Sequence, residues 1–416
     1  MSECCETKRS CSGLLTKFFP GSTENGNVRI RYLIGGQNIC GVYVALHGIG
    51  LDPWSWECLF QRVKKLGFLF IAPETRGFGA SDPGFDNLSD LSLTNSAADV
   101  HAILGYIGEH TNNLVIHGQS YASGIAFQYY ANYITDTEFP PNQLIIDAGS
   151  ARFFNVGTYD VSFDPSVAAV FTFLVDSGVE VFSAVLIALA LNDDIRCPDQ
   201  LKQLNKLANK LFKVATQTSI FNLTGTLLTA FFNMDFRALL PTITIPTLVI
   251  FGSKDQVVPI GNSYYIASHI PRSQIEQIRG AGHWTNVTAA CEAANRIVRF
   301  LVNPDNFYIC DFHLQLARCL PSAETAWAEV EEDVEPLIAL PTSDVFDPIQ
   351  LATQYNLYPQ YAKITLDTPT QVASTSVASN GVNSADYGGH GYKKHGGDSS
   401  HKKRSHRKRR SCSCNE

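Results

Sequence analysis

An apolar run that ends in a serine between small residues is the feature that most constrains this chain. Residues 114–124 have the sequence LVIHGQSYASG, so Ser120 lies two positions from both Gly118 and Ala122. A strand that turns abruptly into a helix strains the backbone at the turn and lifts that side chain above the sheet. Small flanking residues are needed because the turn leaves no room for larger side chains. The pattern predicts a strand–turn–helix unit that presents Ser120 at the end of a sheet.

Two segments further along the chain supply the residues that such a serine needs. A hydroxyl becomes a good nucleophile when a base takes its proton, and the base is usually a histidine oriented by a carboxylate. Residues 246–259 have the pattern of a buried strand followed by a turn that contains Asp255. Residues 278–284, IRGAGHW, place His283 in a glycine-rich loop after another strand end. The alternative interpretations are that Asp255 only forms the turn and that His283 is a loop residue without a catalytic function.

The chain resembles the α/β-hydrolase superfamily, specifically its branch with a helical cap, over about residues 27–303. The order serine, acid, histidine, each after a predicted strand, is the order of that family. Residues 45–50, ALHGIG, look like the family's oxyanion loop, and residues 73–82, PETRGFGASD, look like its R-G-x-G-x-S turn. The resemblance implies an α/β-hydrolase fold, in which a mostly parallel central sheet is flanked by helices and a helical cap is inserted.

The resemblance also implies a reaction. Ser120 would attack an ester, thioester or amide carbonyl, while His283 carries the proton to the leaving group. The backbone N–H groups of Ile49 and Tyr121 would stabilise the oxyanion, by about 3–4 kcal/mol for a single good donor. A serine nucleophile, rather than an aspartate, argues against epoxide hydrolase and haloalkane dehalogenase chemistry.

The acid that orients His283 has two candidates. Asp255 follows the strand that precedes the histidine segment. Asp147 ends the predicted strand at residues 143–147, where some members of the family place their acid. Asp255 is the favoured candidate, and Asp147 is the alternative.

The pattern of apolar runs divides the chain into a core, an insertion and three outer segments. Residues 27–150 and 241–303 alternate strands with helices, which favours a mostly parallel sheet covered on both faces. Residues 151–240 break that rhythm and predict the helical cap. The outer segments are an N-terminal cysteine-containing tail, a helical extension and a disordered, basic C-terminal tail, at residues 1–26, 304–340 and 341–416 respectively.

Residues 151–240, the cap segment, are rich in apolar and aromatic side chains. The run at residues 181–191 covers only 11 residues, whereas a membrane span needs about 20, so a pair of lid helices over residues 166–191 is predicted. A set of phenylalanines is available either to line an apolar cleft or to pack the cap on the core: Phe171, Phe173, Phe182, Phe221, Phe231 and Phe232. An apolar cleft would accept a lipophilic acyl or alcohol group.

Charge is unevenly distributed along the chain. The formal net charge is −7, but residues 387–416 contain nine Lys or Arg and two Asp or Glu, a local +7 that leaves −14 for the rest. An acidic body is a poor partner for nucleic acid. The basic runs at residues 402–404 and 407–410 are candidate contacts for nucleic acid, an import receptor or an acidic membrane. A solvated tail without a partner is the alternative interpretation.

Cysteine usage and the N-terminal sequence bear on location. The chain has 11 cysteines, an odd number, and Cys40, Cys58 and Cys291 lie in apolar surroundings. We therefore expect free thiols in a reducing compartment. No signal-peptide pattern is visible, so a cytoplasmic location is expected, with the terminal tails as candidate signals for the nucleus or a membrane. Acylation of Cys4 and Cys5 would provide the membrane anchor.

Two classes of function remain open on these grounds. The first is a serine hydrolase acting on a small or medium lipophilic ester, thioester or lactone. The second is a non-catalytic protein of the same fold that binds a ligand or a partner, for which Ala122 in place of glycine is the supporting feature. The presence of Ser120, Asp255 and His283 together favours the hydrolase. No cysteine or histidine spacing matches a zinc site, and we expect neither a metal nor a cofactor.

Overall fold

Eight strands form one mostly parallel sheet in the computed structural model, which describes residues 13–84, 87–192 and 198–303. The strands are β1 Leu15–Phe19, β2 Ile30–Gly36, β3 Gly41–Leu46, β4 Phe68–Pro73, β5 Leu114–Gln119, β6 Gln143–Asp147, β7 Thr247–Gly252 and β8 Ser273–Ile278. Their order across the sheet is β1-β2-β4-β3-β5-β6-β7-β8. The strands from β3 to β8 are mutually parallel, and β1 and β2 pair antiparallel at one edge.

Helices connect the strands and cover both faces of the sheet. In the described ranges the α-helices are α1 Glu57–Val63, α2 Leu93–Ile107, α3 Ala122–Tyr133, α4 Val167–Asp176, α5 Val179–Ala190, α6 Pro198–Ala215, α7 Ile220–Thr226, α8 Gly261–His269, α9 Thr285–Thr288 and α10 Ala290–Leu301. Short 3-10 turns occur at Pro53–Trp56, Lys64–Leu66, Leu88–Leu91 and Leu240–Thr242, and Leu227–Phe231 is a π-helical turn. The predicted alternation of strands and helices is confirmed.

The side chains of β3 show how the sheet divides the core. Val42 and Val44 belong to one buried cluster, whereas Tyr43 belongs to the other, as the alternation of side chains along a strand requires. Helices α2, α3 and α8 contribute apolar residues to the first cluster, and α1 and α10 contribute to the second. The parallel strands are buried on both faces, which explains why they appear in the sequence as continuous apolar runs.

The N-terminal boundary of the core differs from the expected one. Leu15–Phe19 pairs with β2 through the register Leu15↔Ile34 to Phe19↔Ile30, so β1 lies inside the expected tail of residues 1–26. Only Phe19 is buried in this strand, and the other side chains are exposed. An edge strand with one buried side chain has almost no apolar alternation, so the usual sequence signal for a strand is missing.

The cysteines also differ from the expectation. Cys40 is disulfide-bonded, whereas Cys58 and Cys291 are not in a disulfide. The prediction of a free thiol is therefore wrong at Cys40. Spacing along the chain does not show which cysteines approach each other, because a disulfide depends on the distance and direction of two Cβ atoms. The argument for a reducing compartment no longer includes Cys40.

Several predictions concern residues outside the described ranges. The helical extension at residues 304–340, the basic tail at residues 341–416, and Cys4 and Cys5 lie there. Where the chain is described, none of its helices combines the length and the apolar character needed to cross a bilayer. The same ranges contain no group of three or more His, Cys, Asp or Glu side chains arranged to hold a metal ion.

The cap segment contains α4 to α7 and has an aromatic core of its own. The rings of Phe153 and Phe231 stack with centroids 4.1 Å apart, and Phe171 lies 4.5 Å from Phe231. Phe154 and Phe232 stack at 5.4 Å. Three of the predicted cleft residues, Phe171, Phe231 and Phe232, therefore pack against aromatic neighbours within the cap segment.

The other predicted cleft residues have different environments. Phe221 is 42% exposed, Phe173 is half-buried and Phe182 is buried. Of the six phenylalanines, Phe182 lines the cavity described below. Composition alone does not separate these roles, because each depends on which face of its helix a residue occupies.

A buried ion pair holds the turn after β4. The Arg76 guanidinium donates to Asp99 on α2 through Nε–Oδ2 at 2.7 Å and Nη2–Oδ1 at 2.6 Å. It also donates to the backbone carbonyls of Asn25, Asp90 and Asn95. Burial raises the pKa of Asp99, and the hydrogen bonds from Arg76 oppose that rise. The arginine of the R-G-x-G-x-S turn therefore fastens this loop to α2.

Removing one partner of this pair should destabilise the protein strongly. Asp99→Ala leaves the Arg76 charge buried and unpaired, and we expect a loss of about 3–5 kcal/mol in the free energy of unfolding, measured by urea denaturation. Asp82→Ala is the matched control, because Asp82 pairs with Arg29 at 3.5 Å with both side chains 50% exposed. Breaking such an exposed pair costs about 0–1 kcal/mol. Equal losses in both variants would contradict this account of the turn.

Candidate active site

The turn between β5 and α3 gives Ser120 an unusual backbone conformation. Its φ is 58°, in the left-handed region that side chains other than glycine rarely adopt. The backbone N–H of Ser120 donates to the carbonyl of Asp147 at 2.8 Å. A Cβ atom at Gly118 would overlap the carbonyl oxygen of Ala122, so a glycine is needed at that position. The predicted strand–turn–helix at Ser120 is present in the structure.

Ser120, His283 and Asp255 form a continuous chain of hydrogen bonds. His283 Nε2 lies 2.9 Å from Ser120 Oγ, and His283 Nδ1 lies 2.7 Å from Asp255 Oδ2. The other carboxylate oxygen, Oδ1, accepts the N–H groups of Val257 and Val258 at 2.8 and 2.9 Å. The side chains of His283 and Asp255 are buried. With its proton on Nδ1 facing the carboxylate, the imidazole presents a lone pair on Nε2 to the serine hydroxyl.

The cap segment contributes to the position of the histidine. The backbone N–H of His283 donates to the carbonyl of Ala190 at 3.0 Å. Ala190 is the last residue of α5, where helical carbonyls have no partner within the helix. The amide of Gln119, next to the nucleophile, lies 3.4 Å from the His283 carbonyl. The histidine loop is therefore held from both the cap and the core, a contact that sequence reasoning did not identify.

Asp147 lies in a separate buried polar cluster. Thr285 Oγ1 is 2.9 and 3.0 Å from its two carboxylate oxygens, and His117 Nε2 is 3.8 Å from Oδ2. His117 Nδ1 in turn lies 2.8 Å from the hydroxyl of Tyr43. Burial lowers the pKa of His117 and raises that of Tyr43. The structure brings Asp255, and not Asp147, to the imidazole of His283.

His47 orients the loop after β3. Its Nε2 accepts the backbone N–H of Thr75 at 3.1 Å, so its proton is on Nδ1, which donates to the carbonyl of Gly48 at 3.0 Å. Burial lowers the pKa of His47, which favours this neutral form. The Gly48 carbonyl and the Ile49 N–H belong to one planar peptide group. Holding the carbonyl therefore sets the direction of the Ile49 N–H.

Two backbone N–H groups beside Ser120 remain available. Within the described part of the chain, the N–H groups of Ile49 and Tyr121 donate no hydrogen bond. A Cβ at Gly48 would lie 3.0 Å from the Cβ of Ser120, so the loop that carries Ile49 runs against the serine. Tyr121 directly follows it and precedes α3. Free donors from these two positions are what an oxyanion hole requires.

A small, mainly apolar cavity lies between this loop and the cap segment. Ile49 and Gly50 line it from the core side, and Phe78 lines it from the turn after β4. The ring of Phe78 stacks on Tyr121 with centroids 6.0 Å apart, so the wall of the cavity adjoins the region of Ser120. Of the cleft residues suggested by the sequence, Phe182 lines this cavity. The other lining positions could not be foreseen, because the wall combines loop and helix residues that are distant along the chain.

Known proteins share this architecture. A putative non-heme chloroperoxidase of Synechocystis sp. is 27% identical over 286 residues, which cover 68% of this chain and 98% of the relative. The crystal structure of a bromoperoxidase from Bacillus anthracis superimposes with a TM-score of 0.60 at 20% identity, covering 70% of this chain and 100% of that one. An esterase from Exiguobacterium antarcticum gives a TM-score of 0.59 at 18% identity, covering 69% and 99% of the two chains. These structural likenesses concern the fold alone.

A family model for the alpha/beta hydrolase fold matches residues 44–290. This match covers more than half of the chain and includes the second half of β3, the strands β4 to β8 and the cap segment. It also agrees with the mostly parallel sheet and the helices on both of its faces. The resemblance inferred from the sequence motifs is thereby confirmed, and this chain belongs to the alpha/beta hydrolase family.

Proposed function

We propose that this protein is a serine hydrolase that cleaves small or medium lipophilic esters, thioesters or lactones through an acyl-enzyme. The observation that carries the proposal is the hydrogen-bonded chain Ser120–His283–Asp255, with separations of 2.9 and 2.7 Å. Both distances are within the range at which a base takes a hydroxyl proton and a carboxylate orients that base.

The first half of the reaction forms the acyl-enzyme. Ser120 Oγ attacks the substrate carbonyl carbon as its proton moves to His283 Nε2. Asp255 remains ionised and stabilises the imidazolium that results. The tetrahedral intermediate then collapses, the bond to the leaving group breaks, and His283 returns the proton to the leaving oxygen or sulfur.

Two donors are proposed to stabilise the charge that develops in this step. The N–H groups of Ile49 and Tyr121 would bind the oxyanion, and a single good donor of this kind contributes about 3–4 kcal/mol. His47 would act as a positioning residue, because it holds the peptide group that carries the Ile49 N–H. Ser120 also directly precedes Tyr121 and α3, so the positive end of that helix dipole favours the anion. In the second half of the reaction, His283 would activate water to hydrolyse the acyl-enzyme.

The substrate class follows from the surroundings of the serine. The cavity beside Ile49 is lined mainly by apolar side chains, among them Phe78 and Phe182. An apolar wall favours a lipophilic acyl group. One similar structure is named as an esterase, which is the same class of reaction.

The non-catalytic alternative depends on Ala122, and its surroundings give it little support. Ala122 is buried, and Ser120 still has the left-handed conformation and the contact with His283. An alanine methyl group therefore fits at this turn without disturbing the serine. A protein that only binds ligands does not need the complete hydrogen-bonded chain.

Covalent labelling by a fluorophosphonate probe tests the nucleophile. We expect the wild type to be labelled, Ser120→Ala to remain unlabelled, and His283→Ala to label far more slowly because the base is gone. Ser123→Ala is the control, because Ser123 lies three residues after Ser120 and its hydroxyl contacts the carbonyl of Ser150 rather than His283. This variant should be labelled like the wild type. Labelling that persists in Ser120→Ala, or a folded wild type that is never labelled, would overturn the proposal.

A comparison of two amide substitutions tests the acid. Asp255→Asn should lower kcat by about 10⁴-fold, because an amide favours the wrong imidazole tautomer. Asp147→Asn should leave kcat within about tenfold of the wild type, since the contacts of Asp147 go to Thr285 and His117 and an amide oxygen still accepts a hydroxyl proton. Steady-state hydrolysis of a p-nitrophenyl ester provides the measurement, with urea denaturation as the control for folding. A larger loss in Asp147→Asn would assign the acid role to Asp147.

A further inference from the structure

The residue Asp147 contacts both the turn that carries Ser120 and the loop that carries His283. Its backbone carbonyl accepts the N–H of Ser120 at 2.8 Å. Its carboxylate accepts the hydroxyl of Thr285, whose Oγ1 lies 2.9 Å from Oδ1 and 3.0 Å from Oδ2. Thr285 follows His283 by two residues and is the first residue of α9. One residue of the central sheet therefore holds the nucleophile turn through its backbone and the histidine loop through its side chain.

The sheet closely fixes the position of Asp147 itself. In β6 it pairs with Gln119 of β5 on one side and with Ile250 of β7 on the other. The next residue, Ala148, has a φ of 48°, in the left-handed region, and its N–H donates to the carbonyl of Ile250 at 2.8 Å. A non-glycine residue persists in that region only where the surrounding structure determines it. The Asp147 side chain therefore extends from a fixed backbone position.

The contact between Asp147 and Thr285 has few substitutes, because the carboxylate is completely buried. Asp147, Thr285 and His117 are all 0% exposed. His117 Nε2 lies 3.8 Å from Asp147 Oδ2, which is longer than a hydrogen bond. Within the described ranges, the hydroxyl of Thr285 is the one donor at hydrogen-bond distance from the carboxylate. Packing alone does not require a carboxylate at this position, since an apolar side chain costs less to bury.

The position of Thr285 affects the catalytic imidazole directly. Trp284, the single residue between His283 and Thr285, is 0% exposed, and the His283 N–H donates to the carbonyl of Ala190. A displacement of Thr285 would therefore reach the imidazole across one packed residue. The distance of 2.9 Å from Ser120 Oγ to His283 Nε2 is sensitive to such a shift, because a misplacement of about 1 Å can lower a rate by about 100-fold.

We propose that Asp147 is a positioning residue, which sets the separation of Ser120 and His283 by holding both of their loops from the end of β6. The inference rests on the proposed hydrolase function and gives Asp147 a role different from that of the acid. Asp255 orients the imidazole itself, whereas Asp147 acts through Thr285 on the backbone that carries the imidazole. This role requires an acceptor oxygen rather than a charge, so Asp147→Asn should preserve it.

Substitutions at Thr285 test this role without removing the buried carboxylate. Thr285→Val has nearly the shape of threonine but lacks the hydroxyl. We expect it to lower kcat for a p-nitrophenyl ester by about 10- to 100-fold, because the imidazole is displaced, and to leave KM nearly unchanged. Thr285→Ser keeps a hydroxyl and should restore kcat to near the wild-type value. The inference is overturned if Thr285→Val has the kcat of the wild type.

Thr247→Val is the matched control for the loss of a buried hydroxyl. Thr247 in β7 is also 0% exposed, and its hydroxyl donates to the carbonyl of Ile245 at 3.2 Å. We expect this variant to lose stability in urea much as Thr285→Val does, but to keep the kcat of the wild type. Equal losses of kcat in the two variants would reveal a general effect of instability and would contradict the positioning role.

A double-mutant cycle tests whether Thr285 acts through Asp147. Asp147→Ala should lower kcat at least as much as Thr285→Val does. The double variant Asp147→Ala/Thr285→Val should be no slower than Asp147→Ala alone, because both changes remove the same contact. Losses that simply multiply would mean that the two residues act independently, and would refute the inference.

Hydrogen exchange distinguishes failure of this inference from failure of the proposed function. If the wild type is neither labelled at Ser120 nor hydrolyses any ester, the hydrolase proposal fails. Exchange at the backbone amides of residues 280–289, measured by mass spectrometry, then still tests whether Asp147 holds the histidine loop. We expect exchange about tenfold faster in Thr285→Val than in the wild type, and no change in Thr247→Val. Unchanged exchange in Thr285→Val would refute the contact's role in holding the loop.

Discussion

The left-handed turn at Ser120 is the constraint on which the rest of the site depends. It requires a hydrogen bond to the carbonyl of Asp147 on the neighbouring strand and a glycine at position 118. A turn in this conformation is strained, and it persists only where the surrounding structure determines it. The two central parallel strands and α3 provide that support, because their side chains are buried on both faces of the sheet. The serine is thus presented at the buried centre of the sheet.

Buried polar contacts also hold the loops around the serine. Arg76 and Asp99 fasten the turn after β4, and His47 fastens the loop that carries Ile49. Each of these groups would be costly to bury without its partner. Their hydrogen bonds therefore fix loop positions more strictly than apolar packing alone does, since an apolar contact tolerates small shifts. The same reasoning applies to the cluster around Asp147. Its carboxylate contacts Thr285 and His117, so Asp255 is the carboxylate that contacts His283.

The cap segment takes part in the site rather than only covering it. The C-terminus of α5 accepts the backbone N–H of His283, and one face of the same helix lines the cavity beside Ile49. A shift of α5 would therefore change both the position of His283 and the shape of the cavity beside Ile49. This arrangement explains why Phe182 lines the cavity while Phe231 packs within the cap.

Local patterns in the amino-acid sequence were sufficient to predict a mostly parallel sheet and the order of the motifs that follow its strands. They also identified Ser120, Asp255 and His283 as candidate site residues. Buried strands and tight turns require particular residue types at short spacing, so they can be recognised in the amino-acid sequence. The choice between Asp255 and Asp147, the disulfide at Cys40, the edge strand β1 and the cavity wall needed the folded chain. Each of these depends on distances between segments far apart in sequence, or on exposure at a sheet edge, and neither leaves a local pattern.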